Sequence, residues 1–547
     1  MRSDRHAARE SLLIAVVYSA AWGFMLLASG RYWDDWAALD LSARAVAEWS
    51  TQQGLFWQLD LLRFLSILPG TDRLGHILTF VAFLVSALAL HRVLLEAPAV
   101  SRQARVTIPL LVAVFPVNGA RFAHVTLMYA VSLAIFMVAW WMFAVESNRP
   151  SLWRWLVASG LLVFAMLSTG SLLMFSVVIP VYVVWVRWPG IRTPNGAISL
   201  AIRCAGLLAL PVIAWLIRGR ELQPSGLYAE YNELTWVSAR EAVSALPGAF
   251  RASFADAVIS SISPWAWIAV LLAPLIYLLM RQVVRNDDRG MSLQEGLATL
   301  AAGFVLFMVA VFPYLAVGKM PQAIGWESRH QLLVPFGAAL IIYGVTILVG
   351  RAVRMKTGAV TLAVCVLLGV FIASDIRTSL VYQGDWYKQV ALMEWMKTDA
   401  VFESGRFFVF ADQAADINAP VGVIARYAPD GTREPVDSAH RAVAFYEYNG
   451  MMRHVFGDAT RLGIGEDSLR ILARLDRYQP FEQYNFWQHE RGADAIEVTV
   501  GPGERDLRRP GVVIDLMWQE IMAPREFQRS VREAVVVETR SASGLYQ

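Results

Sequence analysis

Cysteine is nearly absent from this chain: Cys204 and Cys365 are the two among 547 residues. Both sit inside apolar runs, so neither a disulfide framework nor a zinc-ligand spacing can be built from them. Charge is scarce as well. Asp, Glu, Lys and Arg make up 17% of the residues, against roughly a quarter in soluble domains. The net charge of +3 is small and scattered, and no basic run interleaves with aromatics, which sets nucleic acid aside as a partner. Also missing are His-Glu-x-x-His, a phosphate-cradling glycine loop, Gly-x-Ser-x-Gly and a cysteine placed as a nucleophile. Hydrolase and ATPase readings lose their support with them.

What fills the chain instead is apolar: 56% hydrophobic residues and a mean hydropathy of +0.45, a membrane composition. About half of the charged residues lie from Asp375 onward. That shift predicts a membrane body over 1–374 and a water-soluble domain over 375–547. A bilayer core takes about 20 apolar residues in a helix. Uncharged runs near that length fall at 11–29, 75–95, 106–118, 122–145, 153–169, 171–186, 199–217, 263–280, 296–317, 331–349 and 358–374. The third is short and ends at Pro116, which suits a tilted, broken or re-entrant helix. The expected fold class is therefore an α-helical polytopic membrane protein of about eleven spans with a C-terminal extracytoplasmic α/β domain. Apart from Arg92, Arg154 and Arg203, each near an end, these runs hold no Asp, Glu, Lys or Arg. Ion-coupled carriers place such groups at the midplane, so chemistry is expected at the membrane surface.

Basic residues cluster at Arg2/Arg5/Arg9, Arg92/Arg102/Arg105, Arg149/Arg154, Arg187/Arg192, Arg281/Arg285/Arg289 and Arg351/Arg354/Lys356. With the N-terminus inside, every cluster falls in the cytoplasm, as the positive-inside rule asks. The first apolar stretch is long and no small-x-small site ends it, so an uncleaved span is expected rather than a signal peptide. Left outside are 30–74, 119–121, 170, 218–262, 318–330 and the tail. Residues 36–66 carry apolar positions at helical spacing with charges between, which predicts interfacial amphipathic helices. In the tail, Arg406–Phe410, Ala495–Val500, Gly511–Leu516 and Ala534–Thr539 read as strands, Gln389–Lys397 and Asp467–Leu475 as helices.

The outer-face segment with the most chemical content is Arg31-Tyr32-Trp33-Asp34-Asp35-Trp36, just past the first span. Adjacent carboxylates push their titrations apart, so one of Asp34 and Asp35 can stay basic near neutral pH as a general base or metal ligand while the other orients it. The plainer alternative is a pair of loop carboxylates capping the next helix.

A first span, an acidic pair in the first outer loop and then amphipathic juxtamembrane helices resemble the GT-C superfamily of membrane glycosyltransferases, and the Tyr-Trp-Asp-Asp-Trp setting is similar to bacterial type II O-antigen glucosyltransferases. The resemblance covers 1–374 in architecture and 31–36 in specific residues. It implies a catalytic outer-loop carboxylate, a polyprenyl-phosphate-linked sugar donor drawn from the membrane lipids and a glycan or lipid-linked acceptor. The place implied is the outer face of the bacterial inner membrane, with a periplasmic tail. Whether a divalent cation such as Mg or Mn assists is left open.

A phosphate-linked donor needs cations. Trp326-Glu327-Ser328-Arg329-His330 offers Arg329 as a bidentate fork, with Lys319 nearby and His330 as a further donor; the alternative is an interfacial Arg paired with Glu327. Arg121 and His124, in the turn between the third and fourth spans, are candidates for the same mouth. Glu230 and Glu233 are candidates for acceptor or metal binding. Tyr446-Glu447-Tyr448-Asn449-Gly450 mixes aromatic and polar groups as sugar-binding surfaces do. Two other classes fit the same outline: a glycan polymerase or ligase of another fold, and a non-enzymatic carrier or assembly factor.

Overall fold

A computed structural model describes the chain apart from residues 1, 39–42, 69, 192, 230–235, 263, 285–291, 323–324, 406, 415–424, 428–432, 436–442, 444, 458–461, 466–494 and 542–547. The described chain is a helical membrane body followed by a small mixed α/β portion. Its first helices are α1 (Arg2–Trp22), α2 (Asp35–Ala38), α3 (Ala43–Gln53), α4 (Gln58–Ser66), α5 (Thr71–Leu95), α6 (Arg102–Val114) and α7 (Leu127–Asn148). Next come α8 (Leu152–Ser168), α9 (Ser171–Phe175), α10 (Val178–Arg187), α11 (Pro194–Glu221), α12 (Trp236–Phe250), α13 (Asp256–Ser261) and α14 (Trp267–Val284). The last group is α15 (Leu293–Leu315), α16 (Val334–Ala352), α17 (Thr357–Thr398), α18 (Ala400–Ser404), α19 (Phe445–Phe456), α20 (Pro510–Met522) and α21 (Pro524–Arg532).

Among the described residues, seven helices are long and apolar enough to cross a membrane, and three shorter apolar ones lie at 152–168, 171–187 and 267–283. The remaining apolar run forms α6, 13 residues long with Pro109 inside. Every run read from the sequence thus coincides with helix. Local chemistry sets the starts: the hydroxyls of Ser101, Ser151, Thr193 and Ser292 each accept a backbone N–H of the following first turn, the usual N-cap arrangement.

The amphipathic reading of 36–66 corresponds to α3 and α4, the latter burying Leu59, Leu62 and Leu65. At the far end from this loop, Glu10 accepts from Arg102 Nε at 2.7 Å and lies 3.0 Å from His91 Nε2, tying α1, α5 and α6 together.

Helix α17 runs unbroken for 42 residues, about 63 Å at 1.5 Å per residue, twice a ~30 Å bilayer core. The domain boundary expected at 375 falls inside it. Its second half carries the α/β portion: a four-stranded sheet in the order β4-β1-β5-β6. The strands are β1 (Phe407–Asp412), β4 (Leu462–Gly465), β5 (Ala495–Pro502) and β6 (Val535–Ser541), and β2 (Ala425–Tyr427) and β3 (Arg433–Pro435) form a separate pair. β1 is parallel to both neighbours, while β6 is antiparallel to β5. Lys388 of α17 donates to Asp412, at the end of β1, at 2.7 Å.

Two tail readings change. Gly511–Leu516 is helix within α20, not strand: Pro510 stands in its first turn, where its missing N–H costs nothing, and Val513, Leu516 and Met517 are buried at helical spacing. Gln389–Lys397 is not a separate helix but the last part of α17. Asp467–Leu475 lies outside the described residues.

Candidate active site

Three segments that are distant in sequence are stitched together around the acidic pair. The first is 30–38. The second is the pair of 3-10 turns Gly119–Phe122 and His124–Thr126, and the third is the 3-10 turn Trp326–Gln331. Asp35 does the stitching for the first two. Its Oδ2 accepts the backbone N–H groups of Tyr32 and His124, and its Oδ1 accepts that of Val125, each at 2.9 Å. Asp35 is fully buried. Burial pushes its carboxyl above the ordinary value, opposed by His124 and by these three N–H donors. Ser328 Oγ accepts from Ala120 N at 2.8 Å and Gln331 Oε1 from Asn118 N at 3.2 Å, which joins the third segment to the second.

Asp34 has the opposite environment. No group among the described residues hydrogen-bonds its carboxylate, which is half-buried rather than sealed. Burial raises its pKa to about 6, with the charges of Asp35 and Glu327 pushing the same way and Arg329 opposing. Two neighbouring carboxylates therefore hold different tasks: one saturated with backbone donors, the other open and basic near neutrality.

The aromatic frame fixes the loop. Trp33 adopts a left-handed φ of 52°, uncommon for a bulky residue. Its ring packs 5.2 Å from that of Trp326 and 5.8 Å from that of Tyr382. Tyr32 donates from its hydroxyl to Tyr382 O at 2.7 Å. The Trp33 N–H donates to Glu447 Oε1 at 2.7 Å, while Tyr448 stacks on Phe410 of β1 at 4.1 Å. Through α19, then, the sheet holds the backbone of the acidic loop. Gly450 allows the approach, because a Cβ there would lie 2.5 Å from the Trp36 Cβ. The mixed motif at 446–450 is thus an internal joint: Glu447 and Tyr448 are buried.

Glu447→Ala is expected to speed hydrogen exchange at the Trp33 amide by ~10–150-fold, since a hydrogen bond to a charged group contributes about 1.5–3 kcal/mol. Glu447→Gln, which keeps an acceptor, is expected to restore most of the protection. Unchanged exchange in the alanine variant would refute the joint.

Beside Asp34 lies a cationic cluster. The Arg329 guanidinium sits 4.1 Å over the Trp326 ring and 3.6 Å from Glu327. Burial lowers the Lys319 pKa to about 7, helped by Arg329 and resisted by Glu327. Against the upward push of burial, the His330 hydrogen bond and the charges of Arg329, His330 and Lys319 hold Glu327 down at about 2. His330 Nδ1 lies 2.9 Å from Glu327, and burial brings its pKa to about 4, so the ring is neutral at pH 7. Of these groups Arg329 acts directly on Asp34, and Lys319 interacts with Arg329 and Glu327.

Of the other candidates, Arg121 turns away from the acidic pair while His124 stays beside Asp35. Arg121 is buried with its guanidinium 3.7 Å over Trp22 and 4.5 Å over Phe83, donating to the carbonyls of Asn118 and Val117 at 3.1 Å. His124 Nε2 is 3.1 Å and His76 Nε2 3.0 Å from the Gly30 carbonyl, so the pair braces the residue before Arg31. Glu230 and Glu233 lie outside the described residues.

Sequence reasoning missed Asp375, 1% exposed and electrostatically coupled to Arg121, because the last apolar run was read as ending one residue earlier. It also gave no signal for Glu520, which accepts from the Ser29 hydroxyl at 2.6 Å across the chain. For a metal, the described residues bring together no group of three His, Cys, Asp or Glu, and Asp35 spends both oxygens on backbone donors. The donor set among the described residues does not suit a divalent ion.

No protein-family model and no curated relative matches the sequence. Among solved structures, the chain is similar to the archaeal oligosaccharyltransferase AglB from Archaeoglobus fulgidus in complex with an inhibitory peptide and a dolichol-phosphate. That match has a TM-score of 0.39 and 10% identity, covering 91% of this chain and 69% of the other. It is also similar to ArnT from Cupriavidus metallidurans bound to undecaprenyl phosphate, with a TM-score of 0.34 and 10% identity over 89% of this chain and 92% of that one. The superpositions are loose at these scores.

Proposed function

We propose that this membrane protein is a glycosyltransferase that moves a sugar from a polyprenyl-phosphate carrier to a hydroxyl of a glycan or lipid-linked acceptor, at the outer face of a bacterial inner membrane. The observation that carries the reading is the pairing of an open carboxylate, Asp34, with the Arg329–Lys319 cations on one side and a saturated Asp35 on the other. Asp34 takes the proton of the acceptor hydroxyl as that oxygen bonds to the anomeric carbon. The bond from that carbon to the phosphate oxygen breaks, its electron pair stays on the phosphate, and Arg329 and Lys319 stabilise the charge that accumulates there. Direct displacement of this kind inverts the anomeric centre. Asp35 is a positioning residue, and the bilayer delivers the lipid donor laterally to the mouth. The resemblance of residues 31–36 to the GT-C pattern supports the choice of sugar as the group transferred.

The test is sugar transfer in reconstituted membranes from a panel of polyprenyl-phospho-hexoses, comparing the wild type with Arg329→Ala. Loss of a bidentate charge-assisted contact to phosphate is expected to cost about 10²-fold or more in kcat/KM, with insertion and Tm unchanged. Transfer at the wild-type rate would defeat the assignment of the phosphate site. No transfer from any donor by the intact wild type would favour the polymerase or assembly-factor class instead.

A further inference from the structure

Helix α20 belongs to the tail, yet one of its faces is dressed for lipid. Ile514, Trp518, Ile521 and Met522 are 44%, 63%, 36% and 62% exposed, on the side opposite the buried Val513, Leu516 and Met517. An exposed apolar stripe with tryptophan at its centre is costly in water and calls for a cover.

Its position identifies the cover. Glu520 accepts from the Ser29 hydroxyl at 2.6 Å and from the Tyr387 hydroxyl at 2.9 Å, and lies 3.4 Å from Arg73 Nη2. Ser29 stands two residues past the apolar helix Arg5–Leu27, and Arg73 stands in the first turn of Thr71–Leu95. Glu520 is therefore level with the ends of two membrane-crossing helices on the side of the acidic loop. At 1.5 Å rise per residue, Ile521, Trp518 and Met522 lie within about 3 Å of that level along the axis, and Ile514 within about 9 Å. The polar layer between hydrocarbon and water is about 5–7 Å deep on each face. With the helix axis near the membrane normal, the first three side chains fall inside it. Leu26 and Leu27 are exposed at the end of the neighbouring span.

We propose that α20 is an interfacial anchor: its Ile514–Trp518–Met522 face is covered by the phospholipid headgroup layer, and this seats the tail on the membrane. Trp suits that layer because its ring is apolar and its N–H finds a polar partner there. The inference rests on the spans alone and is independent of the reaction proposed above.

The experiment places a nitroxide at Trp518→Cys, and separately at Ile514→Cys and Met522→Cys, in full-length protein carrying Cys204→Ser. Cys365 is fully buried and stays as it is, with the parent lacking the new cysteine as the blank. Glu538→Cys, on an exposed site of β6, is the aqueous reference. In phospholipid nanodiscs the three α20 labels are expected to collide with oxygen at least five times more, relative to nickel-EDDA, than the label at Glu538. Nickel accessibility equal to the reference at all three would overturn the proposal. So would spin–spin broadening between two labelled chains, which would assign the face to a second copy. Shielding from both reagents would also overturn it, since it would mean a protein cover.

Discussion

Asp34→Asn is expected to lower sugar transfer by about 10²–10⁴-fold, the range a positioned general base supplies, and to leave insertion and thermal stability as in the wild type. The stability half follows from geometry: no hydrogen bond among the described residues ends on this carboxylate, so the amide leaves nothing unpaired. The activity half follows from basicity. With a pKa of about 6, the group is ~90% ionised at pH 7 and ~10% at pH 5, so kcat/KM of the wild type rises roughly tenfold through an acid limb near pH 6. In the proposed mechanism Lys319, with its pKa near 7, holds phosphate in its protonated form and gives a falling limb above that pH. The free enzyme is thus expected to show a narrow bell.

Each limb has an owner. Arg329 is a charge that holds the Asp34 pKa down, and Glu327 is one that pushes it up. Residual activity in Arg329→Ala therefore has its acid limb shifted to higher pH, and Glu327→Gln shifts it lower. Lys319→Ala removes the alkaline limb. Initial rates across pH 4.5–9 decide the matter: wild-type activity in Asp34→Asn, or an acid limb that ignores position 329, would sink the base assignment.

Asp35→Ala acts through folding instead. It leaves three buried N–H groups, those of Tyr32, His124 and Val125, with no acceptor. At ~1–3 kcal/mol for each unsatisfied group, the loss is at least about 3 kcal/mol, enough to detach the acidic loop from the turns at 119–126. Asp35→Asn keeps one acceptor but turns an NH₂ toward backbone donors, so it recovers only part. The expected signature is a fall in Tm together with proteolytic sensitivity within 30–38, absent from Asp34→Asn. Should Asp35→Asn keep full stability and lose only its rate, the two carboxylates would have to exchange roles.

Much of this site was readable beforehand, and the parts that were not share a cause. Apolar runs marked every membrane helix because exclusion of charge is a local property. The acidic pair and the Trp326–His330 turn stood out for the same reason. Which of Asp34 and Asp35 stays open was not readable, because the deciding N–H groups belong to residues 124 and 125. The length of α17 was hidden by its own charges. Asp375, Asp385 and Lys388 look like the start of a soluble segment, yet all three are buried; Asp375 is coupled to Arg121, and Lys388 lies near Asp385 and Asp412. Gly511–Leu516 read as a strand because Val512, Val513 and Ile514 are β-branched, and packing on neighbours outweighed that preference. Glu447 and Glu520 are unremarkable in their own stretches; only the fold brings them to residues 33 and 29.

Those two long-range bonds also order events in time. The Trp33 amide waits for an acceptor 414 residues downstream, and the Ser29 hydroxyl for one 491 residues downstream. At about 5–20 residues per second of synthesis, the ribosome takes roughly 20–80 s to reach Glu447 after the acidic loop has been made. Through that interval the loop lacks its restraint, while the spans around it are already inserting. A nascent or prematurely ended chain thus carries both carboxylates and all the cations, yet lacks the clamp that orders them, and competence arrives only with the final part of the polypeptide.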